Sequence, residues 1–269
     1  MNRKVVVAVI AIVVVLLILW WLRQPDDDFA TSSFDEAPPT QPATPAPAPR
    51  PEPAPDFEQR TPQAEEEVSE VTIPVPPSLA ESDEPAQAVV EELSPDLLRW
   101  VTPQEKVRKV VLLTDLAASG RVPVKNRPVN FPAGEFKVAE RDGELYLDEA
   151  TYARANRLVD VITAIPPEQL ARYYQAWAPL LEEAYAELGR KEPFATRVEK
   201  AMAEILATEP LEGEVRLAQP SVYYTFADPE LERASDVRKL MWRLGPENTR
   251  KLQDYIRRLQ PLLEQGDVE

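Results

Sequence analysis

The chain has 269 residues, with 30 basic against 46 acidic for a formal net charge of −16, and it contains neither histidine nor cysteine. Without imidazole or thiol there is no Ser-His-Asp or Cys-His catalysis, no disulfide and no thiolate or imidazole metal site, which leaves carboxylate, Lys, Tyr or Ser chemistry. The acidic balance also disfavours nucleic-acid binding, which needs a net basic footprint.

Val5 to Leu22 is an unbroken run of eighteen apolar residues. At 1.5 Å per residue it spans about 27 Å, near the hydrocarbon thickness of a bilayer, and in lipid it must be helical to satisfy its own backbone. Trp20 and Trp21 stand at its far end, where amphipathic rings settle among headgroups. The run is longer than a signal peptide's apolar region and ends Leu22-Arg23 with no small-residue cleavage site, so the expectation is an uncleaved transmembrane signal anchor. Arg3 and Lys4 precede it and Arg23 alone follows, which keeps the N-terminus cytoplasmic. In a bacterium, residues 1–23 are then a cytoplasmic N-terminus and inner-membrane anchor, and the rest of the chain is periplasmic.

Charge is uneven along the chain: residues 1–23 carry +3, residues 24–101 carry −15 and residues 102–269 carry −4. Residues 25–77 hold 14 of the 29 prolines. Proline fixes φ and removes a donor, so residues 24–77 are expected to be a Pro-rich, acidic, disordered tether. It should favour polyproline II, stiffened by repulsion between Glu52, Asp56, Glu58 and Glu65 to Glu67. No basic-flanked PxxP motif stands out, so a spacer is preferred to a docking site for a proline-reading partner.

Residues 78–269 carry the periodic apolar pattern of a folded domain, read as mainly α: a bundle-like set of helices with one β-hairpin. Thr102-Pro103-Gln104-Glu105 has the form of a capping box with proline at the first helical position, and Gly120 supplies the stop. Between them Val107, Val110, Val111, Thr114 and Ala117 recur at helical spacing. Residues 121–134 are loop by their prolines. Phe136 to Leu147 reads as a hairpin turning on Asp142-Gly143. Asp148 caps a helix with Tyr152, Ala155, Val159 and Ile162 on one face. Pro166-Pro167 opens another, with Leu170, Tyr174, Trp177, Leu181, Ala184 and Leu188 in register and Pro179 inside it. Phe194 to Leu206 is a further helix, and Glu214 to Phe226 is a strand or an extended connector. Ser235 to Leu244 and Pro246 to Leu263 are the last two helices, divided at Gly245.

The stretches IPVPPSLAESD (73–83), LLTDLAASG (112–120), APLLEEAYAELG (178–189), VRLAQPSVYYTFADPELERAS (215–235) and KLMWRLGPEN (239–248) resemble the bacterial domain-of-unknown-function 3014 family of membrane-anchored proteins. The last two are distinctive. RKEPF after Gly189 departs from the Tyr-Pro-containing turn usual there. The resemblance implies an envelope location and a shared fold, and it carries no functional residues with it.

The most site-like stretch is Tyr223 to Glu230. Tyr223, Tyr224 and Phe226 beside Asp228 and Glu232 could line a sugar- or peptide-binding groove, and Asp228 with Glu232 is the one candidate carboxylate pair for hydrolysis. The competing reading makes Asp228 the cap of a short helix opened by Pro229. Arg250, Lys251, Arg257 and Arg258, with Arg238, Lys239 and Arg243, could meet anionic headgroups or wall polymers, or could pair with Asp236, Glu247 and Asp254 on a solvated face. Arg121, Lys125 and Arg127 sit on a proline-held loop that could contact a partner. Neither a metal nor a cofactor is expected. The functional expectation is a non-enzymatic binding or scaffolding module of the cell envelope. The alternative is a cell-wall-acting hydrolase, or its regulator, using the carboxylate pair.

Overall fold

A computed structural model of the chain describes residues 73–264 apart from positions 124 and 133. The apolar run Val5–Leu22 and nearly all of the tether lie outside the described residues. Among the described residues no helix is long and apolar enough to cross a membrane.

A 3₁₀ turn at Leu79–Glu81 leads into α1 (Asp83–Leu93), α2 (Pro95–Leu98) and α3 (Lys106–Ala117). Strands β1 (Val138–Arg141) and β2 (Glu144–Leu147) follow, then α4 (Glu149–Thr163), α5 (Pro167–Ala186) and α6 (Phe194–Leu206). Strands β3 (Arg216–Ala218) and β4 (Thr225–Phe226), a single-turn α7 (Pro229–Glu232), α8 (Asp236–Leu244) and α9 (Pro246–Glu264) complete the described fold.

Several boundaries follow from local chemistry. Asp148 accepts the N–H of Ala150 at 2.7 Å and caps α4. Ser235 does the same for α8 through Arg238. Asp142 and Gly143 both have positive φ, 53° and 76°, which is what a two-residue hairpin turn needs to match the twist of its strands. Pro179 sits inside α5. Leu170, Tyr174, Trp177, Leu181 and Ala184 are buried as their spacing predicts, but Leu188 is 39% exposed because α5 ends at Ala186, before its register is used.

The expected capping box at Thr102 does not form. Thr102 turns its hydroxyl away to the carbonyls of Arg127 and Pro128, at 3.0 and 3.1 Å. Helix α3 starts at Lys106, and Glu105 before it is left-handed with φ 55°. Its N-terminus is capped from another helix: Asp83 accepts the N–H groups of Glu105 and Lys106 at 2.8 and 2.9 Å.

The fold is mostly helical with one small antiparallel sheet, and the single expected hairpin is half of that sheet. The strand order is β1-β2-β3-β4, all antiparallel. Leu145 pairs with Leu217, and Leu217 with Phe226, so one apolar row crosses the sheet. Leu147, Val215, Leu217 and Phe226 form a small core of their own, flanked by Phe136, Tyr152, Tyr224, Leu231 and Trp242. Arg141 stands over the ring of Tyr146, and Glu144 pairs with Arg216 at 2.5 Å.

The larger core gathers all the long helices around α5 and α9, the two longest. Helix α9 packs on α4, α5, α6 and α8. It buries Leu252, Tyr255, Ile256 and Leu259 completely. Three buried polar side chains on the same helix act as hooks. Asn248 donates to the carbonyls of Tyr152 and Leu244 and to Asn156, Thr249 donates to the Met241 carbonyl, and Gln253 donates to the carbonyls of Ile205 and Thr208 at 2.9 and 2.7 Å. The last of these closes the C-terminus of α6, whose final carbonyls have no partner inside the helix.

Candidate functional site

The stretch that connects β3 to β4, residues 219–224, carries no charged residue. At its tip Val222 is 74% and Tyr223 51% exposed, an unusual pairing of adjacent large apolar groups on a polar surface. Tyr224 turns inward and stacks on Phe136, centroids 5.7 Å apart and planes 22° from parallel. Phe226 is buried and meets Trp242 edge-on at 5.8 Å. The Arg243 guanidinium lies 5.1 Å from the Phe226 centroid and donates to the Tyr224 carbonyl at 3.4 Å. Tyr223, Tyr224 and Phe226 are therefore neighbours in chain with three different environments: solvent, half-buried stack and core.

Both candidate carboxylates hold the backbone. Asp228 accepts the N–H of Glu230 at 2.8 Å and caps α7, with Pro229 at the first helical position. Glu232 reaches back to the N–H of Phe226 at 2.9 Å with one oxygen and meets the Lys239 ammonium at 3.2 Å with the other. It thereby ties α7 to the sheet edge and to α8.

The cations of α9 have local partners. Arg250 pairs with Glu212, Lys251 with Asp160, Arg257 with Asp254 at 2.6 Å, and Arg258 lies over the Tyr255 ring at 5.6 Å. Arg238 meets Glu204 at 3.6 Å, and Lys239 meets Asp236 at 3.8 Å in addition to Glu232. Of the partners expected from sequence, Asp254 and Asp236 are used; Glu212 and Asp160 are distant in the chain and carried no local signal.

Two clusters escaped the sequence reading. Asp115 is 3% exposed on the inner face of α3 and faces two arginines: Arg190 of the α5–α6 connection donates to it at 2.8 Å, and Arg197 in the first turn of α6 pairs with it at 2.8 Å. Arg197 also donates to the Asp115 carbonyl and to Ser119, both at 2.6 Å. Glu192 joins through Lys200 at 2.7 Å and Arg197 at 3.5 Å. Burial pushes the neighbouring Tyr185 hydroxyl up to about 12, reinforced by the negative charges of Asp115 and Glu192. An aspartate between Thr114 and Leu116 in an apolar helix stripe was the available signal, because a charge there needs a buried partner.

The second cluster surrounds the turn before α3. Lys106, 5% exposed, donates to the Pro103 carbonyl at 2.6 Å. Lys109 donates to the Gln104 carbonyl at 2.6 Å and to the Thr102 hydroxyl at 3.2 Å. Burial lowers the Lys106 ammonium, against the opposing pull of Asp83.

Among the described residues no group of three or more acidic side chains is placed to hold a metal ion. Comparison with curated proteins and with solved structures yields no match. A family model described as Protein of unknown function (DUF3014) matches residues 106–260, from the first residue of α3 into the last turns of α9. That match spans the whole sheet and more than half of the 269 residues, and the chain belongs to the DUF3014 family.

Proposed function

We propose that the chain is a single-pass inner-membrane protein of a bacterial envelope. In this reading Val5–Leu22 is the anchor, residues 24–77 are a disordered acidic tether, and residues 78–269 form a bundle-like periplasmic domain that binds or scaffolds a partner without catalysing a reaction. The observation that carries the non-enzymatic part is the engagement of Asp228 and Glu232. A hydrolytic pair needs one carboxyl to deliver a proton and the other to activate water or attack. Here one oxygen of each accepts a backbone N–H, and the second oxygen of Glu232 meets a lysine. The exposed Val222-Tyr223 tip offers contact area of the kind that protein interfaces use, with Tyr enriched at their centres.

The topology is tested by a periplasm-active reporter fused at the C-terminus: activity is expected, and a silent fusion with an active cytoplasmic counterpart sinks the placement. The binding role is tested by in-cell crosslinking from position 223, read by mass spectrometry, with one recurrent envelope partner expected. The competing reading, a cell-wall-acting hydrolase or its regulator, gains if Asp228→Asn with Glu232→Gln abolishes function in cells at unchanged melting temperature.

A further inference from the structure

The end of the expected tether, Ile73 to Pro77, lies on the folded domain as a strap. Proline fixes its own φ and drives the residue before it to extended geometry, and Ile73, Val75 and Pro76 each precede a proline. The strap is therefore extended without a partner strand. Ile73 packs against the main core, Pro76 is buried and Leu79 follows at 4% exposed, so the inward positions recur every third residue, the period of polyproline II. Pro74 and Val75 between the first two are exposed.

The strap rests on α5. Trp177 is 5% exposed, and its indole N–H donates to the Pro74 carbonyl at 3.0 Å, across 103 positions of the chain. Among the described residues this is the strap's one hydrogen bond, and none joins its backbone to another backbone group. The first regular element begins at Leu79, so lifting the strap breaks no helix. The surface beneath is held independently, because α5 also packs on α1, α3, α6 and α9. An aromatic surface that engages an extended proline-rich segment is the means by which folded domains read polyproline.

The seated residues define what the surface accepts: an aliphatic side chain at the first place, a carbonyl at the second, an exposed residue at the third and a proline at the fourth. Residues 44–55 of the tether repeat x-Pro-x-Pro, but with Thr, Ala, Arg or Glu at the first place. We propose that the Trp177 face of α5 is a proline-reading site, covered in the resting chain by Ile73 to Pro76, and opened when the strap lifts to a partner protein's extended segment of the form aliphatic-Pro-x-Pro. This names a partner class for the binding module and rests on that reading, but it does not involve the β3–β4 tip.

The test uses the full chain in uncharged detergent and a fluorescein-labelled peptide of residues 71–80, followed by anisotropy. Ile73→Asp with Pro76→Asp puts charge at both inward places and unseats the strap, so this chain should bind the peptide. Ile73→Ser with Pro76→Ser is the milder pair if the first does not melt cooperatively. The native chain should bind more weakly, since its own strap competes at an effective concentration on the order of millimolar. Adding Trp177→Phe to the unstrapped chain keeps a ring but removes the donor, and should weaken binding about tenfold. A peptide carrying Pro74→Ala and Pro76→Ala, and a peptide of residues 44–55, should both bind less well. The proposal is overturned if the unstrapped chain leaves the peptide free, if Trp177→Phe binds it as tightly, or if the alanine peptide binds equally well. Equal binding of the 44–55 peptide also overturns it, because the chain's own tether would then be the occupant. A recurrent partner crosslinked from position 223 would survive each of these failures, and a failed crosslink there would leave the peptide result standing, so the two are separable.

Discussion

Asp83 accepts the backbone N–H of Lys106 at 2.9 Å, so the first long helix supplies the N-terminal cap of a helix that begins more than twenty residues later. Burial alone would raise the Asp83 carboxyl. The N–H donors of Lys106 and Glu105 and the charges of Lys106 and Lys109 outweigh it and hold the group below its ordinary 3.8. Asp83→Ala should cost about 1 kcal/mol at neutral pH. A depressed folded pKa means the unfolded chain binds the proton more readily. The stabilisation is therefore full above the ordinary carboxylate range, fades as pH falls below 3.8, and is gone beneath the lowered folded value. Melting temperatures of the two proteins should converge in that acid window; a constant gap down to the lowest pH sinks the assignment.

Asp115 and its two arginines should respond unequally to substitution. Asp115→Ala strands Arg197, whose side chain is 11% exposed, and should cost about 3 kcal/mol. Arg190→Ala removes a side chain that is 51% exposed and should cost under about 1 kcal/mol. Urea midpoints at matched slopes measure the difference, and equal losses would contradict the geometry.

Gln253 should tolerate no apolar isostere. Gln253→Leu leaves the carbonyls of Ile205 and Thr208 buried without their donor and should cost about 2 kcal/mol, visible in thermal unfolding. Gln253→Glu should be at least as harmful, since a carboxylate cannot donate to either carbonyl.

At the β3–β4 site the two carboxylates should behave as structural groups of different kinds. Asp228→Asn keeps a good cap and should change stability by only a few tenths, about 0.3 kcal/mol, whereas Asp228→Ala should cost about 1 kcal/mol. Glu232→Ala loses both the Phe226 N–H and the Lys239 ammonium and should cost about 1–2 kcal/mol. Calorimetric melting of the three variants gives the order directly.

What could be read in advance divides along sequence distance. Asp148, Ser235 and Asp228 cap helices that start beside them, and Asp142-Gly143 turns a hairpin from within, so residue type and spacing were sufficient. The Thr102 box had the same spacing, but its hydroxyl found carbonyls 25 and 26 residues away, and Asp83 took over the capping. The third and fourth strands were ambiguous because they are three and two residues long, and β3 is recruited by β2, some seventy positions earlier, before β4 can pair with β3 in turn. Phe194 shows the same limit. Its N–H is held by both oxygens of Glu182, from the preceding helix, and no local rule points there. The aromatic run from Tyr223 was legible as a stretch of interest, but its division into exposed tip, stack and core was set by Phe136 and Trp242.

The polar hooks of α9 also bear on how the molecule is made. Asn248, Thr249 and Gln253 follow every other described helix in the chain, and the surfaces they lock belong to segments synthesised earlier. At 5–20 residues per second, α5 waits about 4–16 s after its own synthesis for its largest neighbour to arrive. Until then the faces of α5 and α6 that α9 covers are open, although α3 already packs on both helices. A nascent chain of this kind presents apolar surface for seconds, and it becomes a finished object only when its final helix docks.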